Sequence, residues 1–107
     1  MSLREDRCLF TKLICKQIDY MNSIPGYEAV FDEGTIHRTK KAPTTNHKVG
    51  SKHELGLAMD ILLYINKVYQ TTTEAHKQFG EYWESLHPRC SWGGRFKDGN
   101  HYSFDEK

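Results

Sequence analysis

Residues 57–70 read Leu-Ala-Met-Asp-Ile-Leu-Leu-Tyr-Ile-Asn-Lys-Val-Tyr-Gln, and Leu57 to Tyr64 is the most apolar stretch of the chain. A short apolar run bounded by turn residues predicts a central, buried strand. Asn66-Lys67 makes a turn into Val68-Tyr69-Gln70, so a hairpin follows. One residue breaks the pattern. Asp60 places a carboxylate inside an otherwise apolar strand, which is costly unless it is paired, hydrogen-bonded or bound to a metal. A buried salt bridge, a hydrogen bond to a loop and a metal site all remain open at this point. Gly56 and Ala58 are small and let another group approach the backbone there.

Upstream, Ser2 and Glu5 have capping-box spacing, and Phe10, Leu13, Ile14, Ile18 and Met21 recur at helical intervals. Asn22-Ser23-Ile24-Pro25-Gly26 stops that helix, and Tyr27 to Phe31 reads as a short strand. From Asp32 to Ser51 the chain turns polar and loop-like, a length that in a small domain usually carries function. Downstream, Thr71 and Glu74 have capping-box spacing. Ala75, Phe79, Tyr82, Trp83 and Leu86 mark a second amphipathic helix, stopped by His87-Pro88. A last strand falls around His101 to Phe104. The expected fold is α+β, a small antiparallel sheet with helices packed on one side.

The chain has 107 residues, one domain's length, so residues 1–107 are expected to form a single domain. Hydrophobic residues make up 37%, charged residues 27% and aromatic residues 12%, which is a globular composition. A formal net charge of +1 gives no field to recruit nucleic acid, and no run is long and apolar enough for a membrane span. Cys8, Cys15 and Cys90 lack disulfide-framework spacing, and Cys8 and Cys15 suit two small core positions on the first helix. The start, Met1 to Arg7, has no signal-peptide apolar stretch. The expectation is a chain made in the cytoplasm, with its site of action reached by release or another delivery route.

The chemistry concentrates around two short segments. His53 stands just before the Asp60 strand, and Asp98-Gly99-Asn100-His101 follows Trp92-Gly93-Gly94 near the end. Two histidines and one carboxylate make a three-ligand zinc site that keeps a fourth position open, as catalytic sites do. Water activated there is a nucleophile near neutral pH, and Asp98 is placed to act as general base. His53-Glu54 does not extend to His-Glu-x-x-His, because position 57 is Leu, and Glu54 reads as a solvated loop residue. His76 and His87 read as ordinary structural residues on and at the end of the second helix.

Ser51-x-His53-x-x-Gly56-x-Ala58-x-Asp60, followed by Trp92-Gly93-Gly94 and Asp98-x-x-His101, resembles the zinc D-Ala-D-Ala carboxypeptidase and L-alanyl-D-glutamate endopeptidase family, whose fold is shared with hedgehog domains. The resemblance runs from about Gly34 to Phe104. It implies zinc held by His53, Asp60 and His101, one ion per chain, with Asp98 as catalytic base and peptidoglycan stem peptides as substrate. The Asp-x-x-His pattern with Trp-Gly-Gly looks more like the phage endolysin-type endopeptidases, which act at the bacterial cell wall. Ser51 matches a family serine near the site. Arg38, in Gly34-Thr35-Ile36-His37-Arg38-Thr39, stands about two residues from the family's substrate-contacting arginine. After His101 the chain has Tyr-Ser-Phe where the family usually has Phe-Glu.

The favoured bond is L-Ala–D-Glu. An endopeptidase needs an open groove, for which the polar stretch from Thr39 to Gly50 is the natural wall. The alternatives are a D-Ala-D-Ala carboxypeptidase or dipeptidase, with Arg38 gripping the terminal carboxylate, and a non-enzymatic zinc-binding module of the same fold.

Overall fold

The computed structural model describes residues 2–32 and 55–105. Helix α1 spans Leu3–Ser23 and opens on the expected capping box: the Glu5 amide donates to Ser2 Oγ at 3.1 Å, and the Ser2 amide donates to Glu5 Oε1 at 2.8 Å. These bonds satisfy donors that the helix itself leaves unpaired. Phe10, Leu13, Ile14 and Met21 face the core as their spacing predicts. Cys8 and Cys15 do not: both are exposed, because they fall on the side of α1 away from that stripe. Only Cys90 is a core thiol, and burial pushes its pKa up to about 12.

Strand β1 (Tyr27–Phe31) pairs antiparallel with β2 (Ala58–Ile65), which turns at Asn66 and Lys67 into β3 (Val68–Tyr69). Both turn residues have positive φ, 50° and 68°, the geometry that matches the twist of a tight hairpin. The second helix starts as a 3-10 turn at Glu74–His76 and continues as α2 (Lys77–Leu86). The capping box expected at Thr71 and Glu74 does not form. The Thr72 hydroxyl accepts from the Ala75 amide at 3.2 Å instead. His87 is extended and ends α2 before Pro88, where the proline restricts it.

Strand β4 (Cys90–Trp92), a 3-10 turn (Gly93–Phe96) and β5 (His101–Phe104) complete the chain. The sheet order is β1-β2-β5-β4, with β3 also on β2. Strand β4 is too short for periodicity to reveal it. The fold class is the expected one.

Alternation along β2 decides which face is which. Ile61 and Leu63 are fully buried and join Phe10, Phe79, Trp83, Tyr102 and Phe104 in one core against the helices. Each fully buried phenylalanine contributes about 1.5–3 kcal/mol relative to exposure. Asp60, Leu62 and Tyr64 therefore belong to the opposite face. The Trp83 indole donates to the carbonyls of Ser91 (3.1 Å) and Ser103 (3.0 Å), which fixes α2 to the two strands that follow it. No helix among the described residues is long and apolar enough to cross a membrane.

Candidate metal centre and its supporting turn

Asp60 and His101 are direct partners across the β2–β5 ladder. Residues opposite each other on neighbouring strands point to the same face, so both side chains rise from the side away from the helices. Asp60 Oδ1 lies 3.0 Å from His101 Nδ1, and both side chains are largely shielded from solvent. The carboxylate inside the apolar strand is thus answered by an imidazole forty-one residues away.

The separation within the pair matches that of two ligands on one zinc ion. Two donors on one tetrahedral zinc, each about 2.0–2.1 Å from the ion, lie about 3.3 Å apart. The observed separation is within a few tenths of an ångström of that value. One imidazole nitrogen and one carboxylate oxygen are also donors that zinc accepts. These two side chains fit two ligand positions of the ion. Among the described residues no group of three His, Cys, Asp or Glu side chains converges on one point. The third expected ligand, His53, lies outside the described residues, as do Arg38, Ser51, Glu54 and the 39–50 stretch.

Asp98 sits on the turn that delivers His101. The His101 amide donates to the Asp98 carbonyl at 3.1 Å, and the Asp98 amide donates to the Gly93 carbonyl at 3.0 Å. The turn closes tightly over Gly93: a Cβ there would lie 2.5 Å from the Asp98 carbonyl oxygen and 2.8 Å from His101 Cβ. Glycine at 93 is what lets the expected base and the expected ligand share one compact turn.

Trp92 holds that turn in place. Its indole Nε1 donates to the Gly99 carbonyl at 2.7 Å, and its backbone amide donates to Glu84 Oε2 at 3.0 Å. Gly80 of α2 and Gly94 pack directly on the ring, and a Cβ at either position would overlap it. The Trp92-Gly93-Gly94 signature therefore reads as mechanical support: one ring bonded to the turn, one glycine under the turn, one against the ring. Sequence reading singled out those three residues but missed Gly80 and Glu84, which carry no local signal of their role.

His76 lies in the 3-10 turn that opens the second helix and is 4% exposed, with Nδ1 unpaired. Burial holds its pKa below the ordinary value, against an opposing hydrogen bond to the Gln70 backbone. His87 does sit at the end of α2, and its Nδ1 accepts from the Arg89 amide at 3.1 Å.

An α+β sheet carrying a histidine–carboxylate pair on the face away from the helices, with a second carboxylate on the adjoining turn, defines a candidate hydrolase centre. A family model described as D-alanyl-D-alanine carboxypeptidase matches residues 44–104, a span that contains His53, Asp60, Asp98 and His101. The match covers more than half of the chain, and the chain belongs to that peptidase family. Peptidases of this family are generally zinc-dependent, and the family implies a peptidoglycan substrate. No curated protein matches the chain.

Proposed function

We propose that the chain is a zinc peptidase that cuts peptidoglycan stem peptides at the L-Ala–D-Glu bond, in the manner of phage endolysins acting on the bacterial wall after release. The observation that carries the reading is the Asp60–His101 pair at 3.0 Å, with Asp98 on the same turn as His101. In this reading His53, Asp60 and His101 hold one zinc. The ion, when bound, supplies Lewis acidity toward the scissile carbonyl and its attacking water. Asp98 takes the proton of the attacking water and passes it to the departing amine. Arg38 steadies the charge that develops on the carbonyl oxygen, and Ser51 contacts substrate.

The D-alanyl-D-alanine description of the matching family favours a second reading, removal of the terminal D-Ala. Digestion of purified peptidoglycan followed by mass spectrometry of the muropeptides separates the two. New L-Ala carboxyl ends and D-Glu amino ends support the first reading. Release of D-Ala alone, or hydrolysis of the free D-Ala-D-Ala dipeptide, moves the protein to the second.

A further inference from the structure

The face of the sheet that carries Asp60 and His101 continues past them as an exposed surface in one direction. Behind the pair, the next ladder row on that face is Ala58 with Ser103, and both are buried. Ahead of it, Leu62 follows Asp60 on β2 with Val30 beside it on β1. Tyr64 comes next, with Glu28 of β1 on one side and Tyr69 of β3 on the other. Residues two apart on a strand share a face, as do residues opposite each other across a ladder. Val30 and Tyr69 are 46% and 45% exposed.

A sheet face turned to water normally carries polar residues at these alternate positions. Here two adjoining rows present Val30, Leu62, Tyr64 and Tyr69, with Glu28 as the polar exception. The two tyrosine rings lie 5.3 Å apart between centres and are tilted by 46°, so they form one paired surface. A groove of about 810 Å³, lined among others by Glu28, Val30, Tyr64 and Lys67, borders that pair. A contiguous apolar patch beside a site marks a ligand surface. Aromatic rings with a carboxylate and an ammonium at their edge suit a ligand that has an apolar face and a rim of hydroxyl and amide groups.

Resting on the L-Ala–D-Glu reading above, we infer that Tyr64 and Tyr69 form a saccharide platform for the amino sugars of the glycan strand that bears the stem peptide. In peptidoglycan the L-Ala amine is joined to the sugar through a lactyl ether. Two residue-length units, L-Ala and lactyl, put the sugar about 7 Å from the scissile carbonyl. Four residues of β2 put Tyr64 about 13 Å from Asp60. The span from the metal pair to the rings therefore holds the linker and the first sugar ring, and the disaccharide reaches the platform. The C–H face of a pyranose packs on the tyrosines, and its hydroxyl and N-acetyl groups meet Glu28 and Lys67.

The test uses the zinc-loaded full chain and two stem peptides that differ only at the L-Ala amine: one carries the amino-sugar disaccharide through its lactyl group, the other an acetyl cap. The disaccharide form is expected to have kcat/KM about three- to tenfold higher, carried mainly in KM, the scale of aromatic contacts. Tyr69→Ala should bring that ratio close to one, whereas a purely structural role for Tyr69 lowers both substrates equally and leaves the ratio in place. Val68→Ala, the neighbouring position on the other face of β3, should keep the ratio. Titration of the ¹⁵N-labelled protein with the free disaccharide adds a readout free of turnover, and it should move the Glu28, Tyr64 and Tyr69 amides. A wild-type ratio of one, a ratio that survives Tyr69→Ala, or unmoved amides overturns the platform, and the peptidase reading stands if both peptides are cut. Shifts of the same amides on raising the protein concentration, with none from the disaccharide, assign the face to a second copy of the chain and also overturn the platform. Disaccharide shifts with neither peptide cut uphold the platform and overturn the peptidase reading.

Discussion

At the scale of single residues, the proposed metal ligands and the proposed proton carrier respond differently to substitution. Asp98→Asn should keep zinc and the melting temperature while lowering the rate by about two to four orders of magnitude, the usual contribution of general acid–base catalysis. His101→Ala should lose the metal instead. Elemental analysis beside kinetics checks both. Gly93→Ala forces a methyl against the Asp98 carbonyl and His101 Cβ, so it should cost about 1–3 kcal/mol of stability and most of the activity. A Gly93→Ala protein with unchanged melting and turnover contradicts the role given to this turn. His76 supplies a pH signature. Its folded pKa lies below its unfolded value near 6.5, so above that pH both states are neutral and stability is complete. As pH falls below about 6.5 the unfolded chain takes up the proton first, and stability declines until the folded pKa is passed. Melting curves across that window should show the decline in the wild type and a smaller one in His76→Leu. Thiol labelling of the native protein should modify Cys8 and Cys15, with Cys90 reacting only after unfolding.

At the scale of elements, the chain's beginning and end are joined by one residue. Arg89 grips Asp6 of α1 with both Nη atoms, at 3.2 and 3.1 Å. Its Nε donates to the Asp105 carbonyl at 2.6 Å, and its guanidinium lies 4.2 Å from the Phe104 ring centre. Arg89 holds the Asp6 carboxyl below its ordinary pKa, so the stabilisation is present above the unfolded carboxylate pKa and is lost as pH falls through the folded one. Asp6→Asn and Arg89→Met should each lower the melting temperature at pH 7, and the double variant should lose less than their sum. Strictly additive losses would contradict a direct coupling. Elements of this kind also mark what sequence reading captured. The Ser2–Glu5 box, the α1 stripe, β1, the β2–β3 hairpin and β5 were legible because each has its own period or punctuation. The Arg89 staple, β4 and the packing of Gly80 on Trp92 were not, because they depend on contacts between distant segments that leave no local pattern. Cys8 and Cys15 were misjudged for a related reason. A seven-residue spacing puts two residues on one side of a helix without saying which side faces the core.

At the scale of the molecule, the candidate site unites segments that the chain keeps apart. Asp60 comes from the central strand and His101 from the last strand, and their pairing across the β2–β5 ladder was legible only as a motif, never as a contact. One ion shared by His53, Asp60 and His101 would tie the segment before β2 to both strands, so metal binding and folding should be linked. Chelation is expected to lower the melting temperature together with activity, and zinc is expected to restore both. The most direct measurement is zinc stoichiometry, by elemental analysis after dialysis, for the wild type and for His53→Ala, Asp60→Ala and His101→Ala, with folding checked by circular dichroism. One zinc per chain is expected in the wild type, with loss of tight binding in each folded variant. A wild-type chain without zinc, or a His53→Ala chain that binds it as tightly as the wild type, would contradict it.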